Sequence, residues 1–185
     1  AGLWALPGVR AWAASELLAF SAWGGTLVYA GAFFVETYGV TTGTAGLLLG
    51  VGAAVYLPGN FVSRAWLERR PPAGPLGFFG VTTAAAVVVF GAFRSDVALS
   101  AGLFSVLAFF SAGRTIAGAA LGLRLSGGRR LAAMSIRTSM QQFGYLVGSA
   151  IGGFVLAGWG YGGLGLVFAV FWMSSLVLAV PIARD

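Results

Sequence analysis

Cysteine, histidine and lysine are absent from this chain of 185 residues, and only five side chains are acidic: Glu16, Glu36, Glu68, Asp96 and Asp185. The lack of Cys excludes a disulfide framework, a zinc-thiolate site, an iron–sulfur cluster and a thiol nucleophile. The lack of His excludes the commonest metal ligand and Ser-His-Asp catalysis. So few carboxylates leave little for general acid–base work or a carboxylate metal cage. Without His or Lys no nucleophile–base pair can be assembled, and no phosphate-binding GxxxxGK[ST] loop occurs. The sequence therefore reads as a non-enzyme with no cofactor and no metal site.

Charge of either sign is scarce. Charged residues make up 9% of the chain and hydrophobic ones 58%, with 30 Gly and a mean hydropathy of +0.90. A soluble domain carries roughly a quarter charged residues, so this is a membrane composition. All 11 basic residues are Arg, and the net charge is +6. Nucleic-acid binding needs a basic face on a soluble fold. Here the Arg residues stand in short clusters between apolar runs, as the inner loops of a membrane protein do. The expected partner is the lipid bilayer and not nucleic acid. The chain opens at Ala1 rather than Met, as a fragment or processed product would. The segment from Arg10 to Val35 is too long for a signal-peptide core and ends in no small-residue cleavage pattern.

A helix needs about 20 apolar residues to cross the hydrocarbon core. The apolar runs predict a single six-helix transmembrane bundle over 1–185, with spans at about 11–36, 42–63, 74–93, 97–123, 131–157 and 161–183. The run from Thr138 to Ala183 is about twice one crossing. It must turn, and Gly158-Trp159-Gly160-Tyr161-Gly162-Gly163 is the expected loop. Arg10, the cluster Arg64, Arg69 and Arg70, the cluster Arg124, Arg129 and Arg130, and Arg184 all fall on one side. The opposite loops hold only Arg94, beside Asp96. Excess Arg marks the cytoplasmic side, so both termini are expected inside.

Ionisable groups inside a bilayer are functional candidates by default. Glu16, Arg114 and Arg137 lie roughly 8–14 Å from the inner helix ends by the helical rise, which predicts a buried pair or triad. Two readings stay open. The cluster is either pure architecture that satisfies its own charges, with Arg137 snorkelling to the interface, or part of a transport path. Glu36 and Asp96 fall at outer helix ends, where solvent is expected to reach them. Arg137, Gln141 and Tyr145 share one helix face, flanked by Ser135, Ser139 and Gln142. These groups must meet protein or a water-filled cavity. Gly144, Gly148 and Gly152 follow at four-residue spacing and predict close helix packing. Gly118 with Gly122, and Gly46 with Gly50, repeat the spacing. Trp4, Trp12, Trp66, Trp159 and Tyr161 suit an interfacial belt. Trp23 lies mid-span on the face of Glu16, where it either packs or stacks on an apolar or cationic substrate.

The stretch Gly59-Asn60-Phe61-Val62-Ser63-Arg64-Ala65-Trp66-Leu67-Glu68-Arg69-Arg70-Pro71 resembles the signature loop of the major facilitator superfamily. Gly59, Arg64, Arg69 and Arg70 match, and Ser63 stands where the family has Asp. Ser111-Ala112-Gly113-Arg114-Thr115-Ile116-Ala117-Gly118 and Arg137-Thr138-Ser139-Met140-Gln141-Gln142-Phe143-Gly144-Tyr145 are similar to the tenth and eleventh helices of bacterial efflux-type members. Gly148-Ser149-Ala150-Ile151-Gly152-Gly153 is similar to the family's Gly-rich antiporter motif, without its Pro. The resemblance implies an all-α membrane protein whose six helices form two three-helix inverted repeats, the C-terminal half of a twelve-helix transporter in the bacterial inner membrane. Its missing partner would be the N-terminal six-helix half, and its cargo a small molecule exported by proton-coupled alternating access. Glu16, Trp23, Arg114, Arg137 and Gln141 would then line the substrate or proton path. Gly59, Ser63, Arg64, Arg69 and Arg70 would form a cytoplasmic gating loop. The alternative is a complete six-helix membrane protein that assembles as a homo-oligomeric channel or scaffold.

Overall fold

Long apolar runs punctuated by Gly, Pro and short polar residues become long helices with definite stops. A computed structural model describes residues 2–184; Asp185, one of the five acids, lies outside the described residues. A short 3-10 turn at Leu3–Ala5 leads into α1 (Val9–Tyr38), which starts after Gly8 and ends at Gly39, both left-handed. Glycine reaches that conformation without a Cβ penalty and so closes a helix sharply. The Thr41 hydroxyl accepts from the Thr44 amide and opens α2 (Thr42–Leu67). Pro71 and Pro72 precede α3 (Ala73–Ala92). The Asp96 carboxylate accepts from the Leu99 amide and opens α4 (Val97–Leu125). Each cap satisfies an amide that the first helical turn leaves free. Asp96 is thus a helix cap, with a structural duty beyond facing solvent.

The last element corrects the sequence reading. Among the described residues five helices, not six separate ones, are long and apolar enough to cross a membrane, because α5 runs from Arg130 to Arg184 over 55 residues. No loop forms at 158–163; the bend is concentrated in Gly160, whose φ of 63° and ψ of −167° are the only non-helical values inside α5. A straight helix of that length would span roughly 80 Å, far beyond a bilayer, so the one residue divides α5 into two arms. That region of backbone space is essentially confined to Gly. Gly160→Ala is therefore expected to cost about 1–3 kcal/mol, read as a lower unfolding temperature, whereas the neighbouring helical Gly158→Ala should be neutral or stabilising.

Packing follows the glycines. The first arm of α5 lies along α1, with Gly148 against the Ser21 carbonyl, Gly144 against Phe20 and Gly152 against Tyr29. The expected close approach at Gly144, Gly148 and Gly152 is therefore made to α1. In the same way α2 meets α4 at Gly52 and Gly59, which face Phe104 and the Phe109 carbonyl. Gly46 and Gly50 have the right spacing but open space around them, so they close no helix pair. The α3 helix packs on α4 through Gly113 and Phe79 and on the second arm of α5 through Gly80, Gly91 and Gly165.

Two apolar clusters fill the bundle. One gathers Phe33, Phe34, Phe90, Phe104, Phe168 and Trp172. The other gathers Val9, Trp12, Leu76, Leu121 and Ala179 at the end that carries the Arg clusters. Trp12 is a core residue and not part of an interfacial belt: it is 1% exposed and its indole donates to the Gly118 carbonyl at 2.9 Å. Tyr161 is likewise buried and donates to Glu36 at 2.7 Å, which gives Glu36 a protein partner. At the basic end, Arg124 donates to the Ala183 carbonyl and Gly8 lies against Leu125 and Ile182.

Candidate functional site

Between the two apolar clusters lies one charged layer. Glu16 sits on α1 between Ala13 of the cluster at the Arg-rich end and Ala19 of the other, and Arg114 sits on α4 between Ala117 and Ala108 of the same two clusters. Arg137 comes from the first arm of α5. Glu16 is fully buried, Arg114 is 1% exposed and the Arg137 side chain 16%. One Glu16 oxygen accepts from Arg114 Nη1 at 2.5 Å and the other from Arg137 Nε at 2.9 Å. Both carboxylate oxygens are therefore engaged. A hydrogen bond with two ionised partners is about twice as strong as a neutral one. In a low-dielectric interior the pairing is also what makes the charges tolerable at all.

The surrounding residues hold the two guanidiniums in different ways. Arg114 also donates from Nη2 to the Ser15 carbonyl and hydroxyl, at 3.2 and 3.3 Å, and lies over the Trp172 ring. Its Nε has no partner among the described residues. Arg137 donates from Nη2 to the Thr115 carbonyl at 3.1 Å and lies 5.1 Å from the Phe20 ring centre. Gly118 gives the layer room, since a Cβ there would strike the Glu16 carboxylate. Three helices thus converge on one carboxylate because small residues let their backbones come close.

An aromatic cavity adjoins this layer. It measures about 340 Å³ and is lined by Trp23, Tyr56, Phe104 and Tyr145 together with apolar residues of α1 and α2. Trp23 stacks between Tyr56 and Phe104, at 5.7 and 6.5 Å. Gln141 donates to the Tyr145 hydroxyl at 3.1 Å, so Gln141 and Tyr145 do share a face. Tyr145 meets Phe20 edge-on, and Phe20 carries the Arg137 guanidinium on its ring. Tyr56 is within electrostatic reach of Arg137 and Glu16. Four helices therefore wall the cavity, and Phe20 separates its Tyr145 wall from the Arg137 guanidinium.

The stretch from Gly59 to Arg64 is not a loop. It belongs to α2, with Gly59 pressed on the Phe109 carbonyl and the buried Ser63 hydroxyl donating to the Gly113 carbonyl at 2.8 Å. Ser63 thereby ties α2 to α4. Arg64 pairs with Glu68 one turn on, both well exposed. Arg69 and Arg70 border a shallow surface groove with Trp66. The flanking polar residues of α5 are partly self-satisfied: Ser135 donates to the Leu131 carbonyl and Ser139 to the Ser135 carbonyl. With Thr138 and Gln142 they stay exposed.

Ser15, Phe20, Tyr56, Phe104, Thr115 and Trp172 complete the site and were not singled out by sequence. Apolar and small residues in a membrane helix look alike wherever they point. Among the described residues no group of three His, Cys, Asp or Glu side chains is placed to hold a metal. No protein-family model matches the chain, and a search of curated proteins returns no significant relative.

Proposed function

We propose that this chain is one six-crossing half of a major-facilitator-type secondary transporter, and that small molecules pass along the cavity above the charged layer. One observation carries the reading. A buried carboxylate and two guanidiniums lie next to an aromatic cavity in a bundle of long apolar helices: Arg137 rests on the Phe20 ring, and Phe20 meets Tyr145 of the cavity wall. A protein built only to pack would leave such a layer out, since apolar residues of similar volume do as well or better for stability.

The packing supports the six-crossing reading. The α1 helix lies on the first arm of α5 as α4 lies on α2, each pair closed by glycines facing backbone carbonyls: Gly148 on Ser21, Gly59 on Phe109. The third and last crossings, α3 and the second arm, meet each other at Gly91 and Gly165. Exchanging the first three crossings with the last three maps these named contacts onto one another, as two inverted repeats would. The α2 helix is the least buried of the five. In this reading α2 and the first arm of α5 meet the second half, which also covers Thr138, Ser139 and Gln142.

Orientation follows from charge. Eight of the 11 Arg lie at the end with Arg10 and Arg184, so that end faces the cytoplasm. A reporter fused after the C-terminus is expected to be cytoplasmic and one inserted at Gly39 external; a cytoplasmic Gly39 reporter contradicts the assignment. Transport itself is tested by reconstitution. In liposomes the chain alone is expected to insert without moving solute, and joining it to an N-terminal six-helix half is expected to restore movement. Solute flux through the chain alone favours the other reading, a homo-oligomeric channel.

A further inference from the structure

We infer that the cavity binds an organic anion: a flat apolar body lying against the aromatic lining of Trp23, Tyr56 and Tyr145, with its carboxylate or similar group reaching Arg137. The inference rests on the reading of the cavity as a substrate site and names the class of substrate. Its first support is charge. The layer holds one carboxylate and two guanidiniums, which leaves one positive charge uncompensated beside an apolar cavity. An unbalanced charge in a low-dielectric setting is costly. Among the described residues no second acid approaches it: Glu36 is bonded to Tyr161, Asp96 caps α4, and Glu68 pairs with Arg64.

The second support is geometry. Arg114 is enclosed, whereas Arg137 keeps partial exposure and uses only Nε and Nη2 on protein partners. Its Nη1 has no partner among the described residues. Arg presents its donors in a planar fork that suits a carboxylate. From Arg137 the aromatic path runs over Phe20 to Tyr145 and into the cavity. Gln141, bonded to Tyr145, supplies a neutral donor on the same stripe. A cationic guest on Trp23 would meet the excess positive charge, so the aromatic stack serves the body of the guest and not a cation.

The test uses the purified 185-residue chain in nanodiscs of phosphatidylcholine. Three ligands of one shape are compared by quenching of Trp fluorescence: 1-naphthoate, 1-naphthamide and 1-naphthylmethylammonium. Naphthoate is expected to bind about tenfold or more tightly than the amide, the value of one charge-assisted hydrogen bond, and the ammonium most weakly. Arg137→Gln should erase the preference, and Arg137→Lys should keep most of it. Should Arg137→Gln fail to fold, the ranking of the three ligands on the unaltered chain decides. Equal or tighter binding of the amide or ammonium, or no naphthoate binding at about 1 mM, overturns the inference. Anion preference without transport by the completed transporter keeps the inference and removes the transporter reading. Transport of neutral or cationic solutes with no anion preference does the reverse.

Discussion

Glu16→Gln is expected to destabilise the protein by about 3–5 kcal/mol, because it leaves buried guanidiniums without their counter-ion. Both Glu16 oxygens are in use, one on each Arg. Gln offers one neutral oxygen and turns the other position into a donor facing a cation. The two Arg residues then differ. Arg114 is enclosed and already has an Nε without a partner, while Arg137 keeps partial exposure. A second change, Arg114→Gln, should therefore recover most of the lost stability, and Arg137→Gln less. Thermal unfolding of the single and double variants by fluorescence-detected size exclusion reads this directly. A stable Glu16→Gln protein would mean that the layer is not held by charge.

The second large effect is steric. At Gly148 a Cβ would land on the Ser21 carbonyl oxygen and come within 3.0 Å of the Gly25 amide nitrogen, both backbone atoms that cannot turn aside. Gly148→Leu must push α1 away from the first arm of α5, which it also meets at Gly144 and Gly152. Overpacking of this kind costs about 1–3 kcal/mol or more, and here the displaced helix also carries Glu16. A large fall in unfolding temperature is expected. Gly46→Leu is the matched control: nothing lies within 4 Å of its Cβ position, so the change should stay within about 0.5 kcal/mol. Equal sensitivity at both positions would contradict the assigned helix pairs.

These glycines also show how far the sequence could be read. Four-residue spacing marks a smooth strip on a helix, but it does not tell whether a neighbour occupies the strip. Gly148 and Gly46 look alike in sequence and differ completely in surroundings. The ionisable residues were more legible, because a charge within an apolar run is rare and must find a partner at its own depth. That argument brings Glu16, Arg114 and Arg137 together without a structure. Aromatic residues were the least legible. Trp12 near a helix start suits an interface as well as a core, and only its bond to the Gly118 carbonyl separates the two. Tyr56 and Phe104 became visible only with the cavity. The turn near Gly160 was expected from length, but its compression into one residue depends on a backbone angle that composition does not encode.

The central claim is that water and solute reach the charged layer through the aromatic cavity, and the absence of native Cys makes one measurement direct. Single cysteines placed at Ala53, Gln141 and Val170 are treated in the membrane with a charged, membrane-impermeant thiosulfonate. Ala53 lines the cavity and Gln141 lies between it and Arg137, while Val170 is 61% exposed on the outer face of the second arm. The account predicts fast modification of A53C and Q141C and none of V170C, since thiols react as thiolates in water and not in lipid. Cysteines at Ala53 and Gln141 as inert as one at Val170 would place the cavity in lipid or in a sealed contact, and would contradict a transport path there.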